Sequence, residues 1–143
     1  MISRRGAATV ALALTLVGCG GSADQLTGTT WVLEPWSIAR LGIEVPAGTI
    51  VDVRFDGAEL GGTAACNHYG GGYEAGRGSL DLGDLAVTQM ACVDASLMTL
   101  ESVYLEAFSK VESWKVQDVD GFTKLTLTGS GVELRYAAVT PDP

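Results

Sequence analysis

Val51, Val53 and Phe55 alternate with Asp52, Arg54 and Asp56, and the same two-residue rhythm returns along most of the chain. Alternation puts every second side chain on one face of an extended strand, so each such segment must bury one face and wet the other. Trp114 and Val116 repeat the pattern, and so do Leu125 and Leu127 between Lys124, Thr126 and Thr128. Val132, Leu134 and Tyr136 do the same around Glu133 and Arg135. Turn residues separate the segments. Asp56-Gly57 and Asp120-Gly121 read as tight turns, and Gly129-Ser130-Gly131 as a hairpin loop. Thr30 to Glu34 reads as a first strand, stopped by Pro35. Glu59 to Ala65 reads as an antiparallel return, whose Gly61-Gly62 pair predicts a bulge or a close backbone approach. Gly70 to Tyr73 continues to a turn at Gly76-Arg77-Gly78, and Leu80, Leu82, Leu85 and Val87 give one or two short strands broken at Gly83. Trp36 to Thr49 reads as a loop.

One segment breaks the rhythm. From Ala95 to Val111, Leu97, Leu100, Tyr104, Ala107, Phe108 and Val111 recur at helical spacing, with Asp94 placed to cap the first turn. Glu106 and Lys110 form an i,i+4 pair on the other face. Strands, one helix, then strands is a mostly β (α+β) chain. A sheet of that many strands must close into a barrel or be covered by the helix. The expected architecture is therefore a small antiparallel β-barrel-like sheet with one helix packed against it. Trp31, Val53, Phe55, Phe108, Leu125 and Leu134 are its expected core.

The amino terminus follows a different logic. Arg4 and Arg5 precede an uncharged apolar run from Ala7 to Val17, and Leu16-Val17-Gly18-Cys19 follows. Eleven helical residues reach about half of a ~30 Å hydrocarbon core, too short to span it but long enough for a secretory signal. Leu-Val-Gly-Cys resembles the lipobox, in which lipid is attached to the Cys thiol and the chain is cut before it. Residues 1–18 are thus expected to be a signal peptide and Cys19 the lipidated first residue. Residues 19–25 would be a flexible tether, 26–138 a single domain and 139–143 a frayed tail. The membrane, reached through the anchor on Cys19, is the one expected contact. The chain would be exported and held at the cell membrane or outer membrane, facing the periplasm or exterior. Without the signal, 7 Lys/Arg stand against 17 Asp/Glu, since Arg4 and Arg5 are removed, for a net charge of about −10. A field of that sign repels phosphate backbones and excludes nucleic acid as a partner.

Three ordered motifs carry a family resemblance. Leu26-Thr-Gly28-Thr29-Thr-Trp31 is the first. Gly62-Thr-Ala-Ala-Cys66-Asn67-His-Tyr69-Gly-Gly-Gly72-Tyr73 is the second, and Thr88-Gln-Met90-Ala91-Cys92 the third, followed by the helix. In this the chain resembles the META domain family, the HslJ-like envelope lipoproteins, from about Leu26 to Ala138. It departs at Ala65, where the family usually has Gly. The resemblance implies a mostly β domain with one helix, often lipid-anchored in bacterial envelopes. It also implies a role in envelope maintenance or in stress and antibiotic tolerance, and no catalytic residue. Its motif positions here are Gly28, Trp31, Asn67, Tyr69, Gly72, Tyr73, Thr88 and Met90.

Little else in the chain points to chemistry. Cys66 and Cys92 remain after Cys19, an even pair in an exported chain, and a disulfide is the reading favoured over a zinc site shared with His68. His68 is the single His, and it lies in a Gly-rich turn beside Asn67. Gly70-Gly71-Gly72 lacks the Lys and the spacing of a phosphate loop. The expected protein is non-enzymatic, with no cofactor and no metal. The rival reading is a small barrel that takes up a lipid or other apolar ligand, or an envelope protein partner.

Overall fold

The computed structural model describes residues 21–139. Nine strands and two helices follow a short helical turn at Ala23–Gln25. In chain order they are β1 (Thr30–Leu33), α1 (Pro35–Ala39), β2 (Asp52–Asp56), β3 (Glu59–Ala64), β4 (Asn67–Ala75), β5 (Leu80–Leu82), β6 (Ala86–Val87), α2 (Ala95–Phe108), β7 (Val111–Val119), β8 (Phe122–Gly129) and β9 (Val132–Val139). The strands pair antiparallel in the order β5-β4-β3-β2-β1-β9-β8-β7, with β6 on β4. The two ends of this path meet. Ser79 bridges Ser113, and the Trp114 N–H donates to the Gly78 carbonyl at 2.9 Å. The sheet is therefore a nearly closed barrel, which leaves little free edge.

The alternation predicts the inward face correctly. Trp31, Val53, Phe55, Leu125, Leu134 and Phe108 are all buried, together with Leu127, Tyr136, Tyr69 and Tyr73. The helix α2 contributes Leu100, Tyr104, Ala107 and Phe108 to the same core. Asp94 caps it as expected, its carboxylate accepting from the Ser96 N–H at 2.9 Å. The helix ends at Phe108, not at Val111, because Val111 opens β7 and is buried in the sheet. From the other end, Leu26 is buried, and its carbonyl accepts from the Trp31 indole N–H at 3.1 Å. Within the expected tether, Ser22 to Gln25 form a capped turn, with the Ser22 hydroxyl accepting from the Asp24 N–H.

The segment after Pro35 is a correction of another kind. Pro35 to Ala39 form a short helix where a loop is expected, with Pro at its first position. Pro pre-sets φ and needs no donor there, so the residue that stops β1 also starts α1. The Gly61-Gly62 expectation holds as a close approach: a Cβ on Gly62 would overlap the Asp52 carbonyl of the neighbouring strand.

Ala65 and Cys66 form the two-residue turn between Ala64 and Asn67, and Ala65 sits at φ +61°. That is the position where the resemblance expects Gly. A left-handed L-residue costs about 1–2 kcal/mol, whereas Gly returns only about 0.5–1 kcal/mol of that through unfolded-state entropy. Ala65→Gly is expected to raise stability by roughly 0.5–1 kcal/mol, read as a higher urea midpoint at unchanged slope.

Candidate functional site

The motif residues converge at the end of the barrel that α2 covers. Cys66 and Cys92 are joined in a disulfide with a Cα separation of 5.8 Å, within the range a bridge requires. The bond ties the β3–β4 turn to the segment that leads into α2. Cys19 lies outside the described residues.

Asn67 is the hub of this end. It is buried, and its side chain uses every hydrogen-bonding site it has. The amide N–H₂ donates to the Met90 carbonyl at 3.1 Å and to the Glu101 carboxylate at 3.0 Å. The amide oxygen accepts from the Met90 N–H at 2.7 Å and from the Thr88 hydroxyl at 3.0 Å. The Asn67 backbone N–H also donates to the second Glu101 oxygen, at 3.1 Å. Thr88 in turn accepts from the His68 N–H at 3.0 Å and returns its own N–H to the His68 carbonyl at 2.9 Å. Thr88 supplies its hydroxyl and Met90 its backbone N–H and carbonyl, and together they pin an irregular segment to β4. The Met90 side chain itself is exposed. Asn67 is the first residue of a strand and a buried connector.

Beneath the hub runs a chain of phenols. Tyr69 donates to the Asp52 carbonyl at 2.8 Å and lies 2.8 Å from the Tyr104 hydroxyl. Tyr104 is 3.0 Å from the Tyr136 hydroxyl. Each phenol has one proton, so the direction follows: Tyr136 donates to Tyr104, Tyr104 to Tyr69, and Tyr69 to the carbonyl. Burial holds all three phenols protonated by raising them above the usual phenol range, with Tyr136 adding to the rise at Tyr69 and Tyr104. The Tyr69 ring stands edge-on to Tyr104 and Phe108, at 5.8 and 5.4 Å between centroids. Tyr73 stands edge-on to Phe55 at 5.0 Å.

The other motif positions serve the backbone and core. Gly28 has φ +77°, and its N–H donates to the Phe55 carbonyl. The Gly72 carbonyl accepts from the Gly83 N–H at 2.9 Å. His68 is exposed, and its ring is 3.4 Å from the Thr63 hydroxyl. The sulfurs of Cys66 and Cys92 lie close enough to a Glu101 oxygen to resemble a metal-ligand set. The sulfurs are bonded to each other, however, and both Glu101 oxygens accept from Asn67.

Sequence reasoning missed Glu101 and the Tyr69-Tyr104-Tyr136 chain. Glu101 was legible as an acid four residues after Leu97 and three before Tyr104, hence on the apolar side of α2. A second feature it missed is an open groove of about 1000 Å³ between α1, the following loop and the start of α2. Trp36, Ile43, Val45 and Pro46 face Asp94 and Thr99 across it. The Arg40 and Arg135 guanidinium groups lie 5.7 and 5.3 Å from the Trp36 ring centre, and Glu133 pairs with both cations.

Residues 24–140 match the model of a family described as the META domain. No curated protein matches the chain. Among solved structures, the chain is similar to an NMR structure of a protein from Burkholderia xenovorans, with a TM-score of 0.65 at 22% identity. That likeness covers 96% of this chain and 99% of the other. A second NMR structure gives a TM-score of 0.59 at 24% identity, over 82% of this chain and 94% of the other. Both likenesses concern the fold alone.

Proposed function

Starting from a chain that belongs to the META domain family, we propose a non-enzymatic lipoprotein of the bacterial cell envelope, held by lipid on Cys19 and serving envelope maintenance or stress tolerance. The observation that carries this reading is how the polar groups of the motif are used. The Asn67 amide is saturated, Glu101 is occupied by it, the two sulfurs are bonded, and the phenols donate to one another and to a carbonyl. A catalytic group must keep a lone pair or a proton for its substrate. Here these groups hold the end of a barrel together. The purified mature domain should therefore show no hydrolase or transferase turnover. A measured turnover lost on mutating His68 or Glu101 would overturn the reading.

The anchor has its own test. Among the described residues, no helix is long and apolar enough to cross a membrane. Cys19→Ser is expected to move the protein out of the membrane fraction or leave it uncleaved, because two acyl chains supply the stable attachment. Normal processing together with continued membrane binding would remove Cys19 from the account.

The groove beside Trp36 favours a second reading, a binding module. The barrel interior is packed with aromatic side chains, so an apolar ligand or protein partner would dock outside it, against Trp36, Ile43 and Val45. Crosslinking from an exposed position beside this groove in intact cells, followed by mass spectrometry, distinguishes the two readings.

A further inference from the structure

The end of the barrel opposite α2 is uneven. On one side the seam closes low on β5, where Gly78 and Ser79 meet Trp114 and Ser113. Beyond that point β7 runs on from Lys115 to Val119 with no partner but β8. The two strands form an arm whose residues Gln117 to Thr123 are all exposed. Five residues at ~3.3 Å each give an arm of about 17 Å, or about 12 Å along the barrel axis at a usual strand tilt. At its tip Val119 faces Phe122 directly across the hairpin, on the outer face of the sheet. Phe122 is 66% exposed, Val119 39% and the neighbouring strand end Val139 47%.

The chain enters the barrel at this same end. Gly21 packs beside the seam, where a Cβ would lie 3.2 Å from the Trp114 ring. Cys19 is two residues away, a reach of at most about 7 Å. The arm is longer than that tether, so a bilayer that holds the acyl chains of Cys19 lies within reach of the hairpin tip.

We propose that the β7–β8 arm is a membrane-contact surface, with Phe122 and Val119 seated in the lipid interface beside the acyl anchor. This rests on the reading of Cys19 as the anchor. Phe and Val bury apolar area there, while Lys124, whose ammonium lies 5.6 Å from the Phe122 ring, is held by Glu34 and its charge is matched within the domain. Asp118 and Asp120 at the tip match uncharged headgroups and oppose anionic ones. The contact also orients the domain, turning the Asn67 hub and the Trp36 groove away from the membrane.

With Cys66 and Cys92 bonded, Cys19 is the one free thiol when residues 19–143 are produced without lipid. The mature chain can therefore be coupled through it to a maleimide phosphatidylethanolamine in phosphatidylcholine vesicles. The control is the same chain with Cys19 blocked by N-ethylmaleimide. Amide hydrogen exchange at 117–123 should slow at least fivefold on the vesicles, while 88–99 at the far end stays unchanged. Phe122→Ser should abolish the slowing without altering the near-ultraviolet circular dichroism. Adding phosphatidylglycerol should reduce it. Unchanged exchange in the arm, or slowing at 88–99 instead, overturns the proposal. The natural anchor is read separately, as the acyl mass on the Cys19 peptide from cell membranes. Its absence sinks the anchor and with it the placement of the arm. Its presence without slowing sinks the arm alone.

Discussion

Tyr104→Ala is expected to cost about 4–5 kcal/mol, which would leave a domain of typical stability barely folded at room temperature. Two terms add. Removing a fully buried ring from between Tyr69, Phe108 and Tyr136 opens a cavity that a closed barrel cannot collapse to fill. The Tyr136 hydroxyl also loses the acceptor it donates to. Tyr104→Phe isolates the second term, because the ring stays and only the relay breaks. It should cost about 1–3 kcal/mol, the usual consequence of a buried donor left unpaired. Urea unfolding of both variants, followed by tryptophan fluorescence, measures the difference. Equal losses for Phe and Ala would mean that the hydroxyl chain, not the packing, holds this end. The chain also sets a pH limit. Burial raises Tyr69, Tyr104 and Tyr136 above the ordinary phenol value, so the folded state keeps protons that the unfolded state releases. Their contribution is fully present below about pH 10, the unfolded value, and is lost as pH rises beyond it.

The second large effect belongs to the disulfide. Reducing it, or making Cys66→Ala with Cys92→Ala, is expected to cost about 3.5 kcal/mol. The chain-entropy model gives this for the 26-residue separation that the bond spans. That figure is a lower bound, because the bond and Asn67 hold the same segment. Once Cys92 is released, the Thr88 and Met90 contacts with Asn67 must order residues 88–94 alone. Hydrogen exchange separates the two contributions. Fast exchange confined to 88–94 and the first turn of α2 in the reduced protein is the expected result. A reduced protein with an unchanged urea midpoint would show that the hub needs no crosslink.

Much of the fold was legible because alternation is a local signal that burial then obeys. Val53 and Phe55 had to face inward once Asp52, Arg54 and Asp56 faced out, and a slip of one residue would have buried three charges. Asp120-Gly121 marked its hairpin because few residue pairs accept two consecutive positive φ angles, here +53° and +82°. The pairing of Cys66 with Cys92 was readable from their number together with the expectation of export. The short helix after Pro35 was not, since five residues carry no period and Pro reads equally as a stop and as a start.

Element types apart from the short helix after Pro35, inward faces, turn positions and the three motifs were thus determined by the sequence, since each depends on residues near one another in the chain. Barrel closure was decided only by the tertiary structure, because the Ser79–Ser113 seam joins strands at opposite ends of the sheet order. So was the role of Glu101, whose carboxylate is spent on an amide 34 positions away. The phenol chain needed β4, α2 and β9 to place three hydroxyls within 3.0 Å of their neighbours. Hydrogen bonds between distant segments leave no periodic trace, so a Tyr that packs and a Tyr that also donates look the same until the chain is folded.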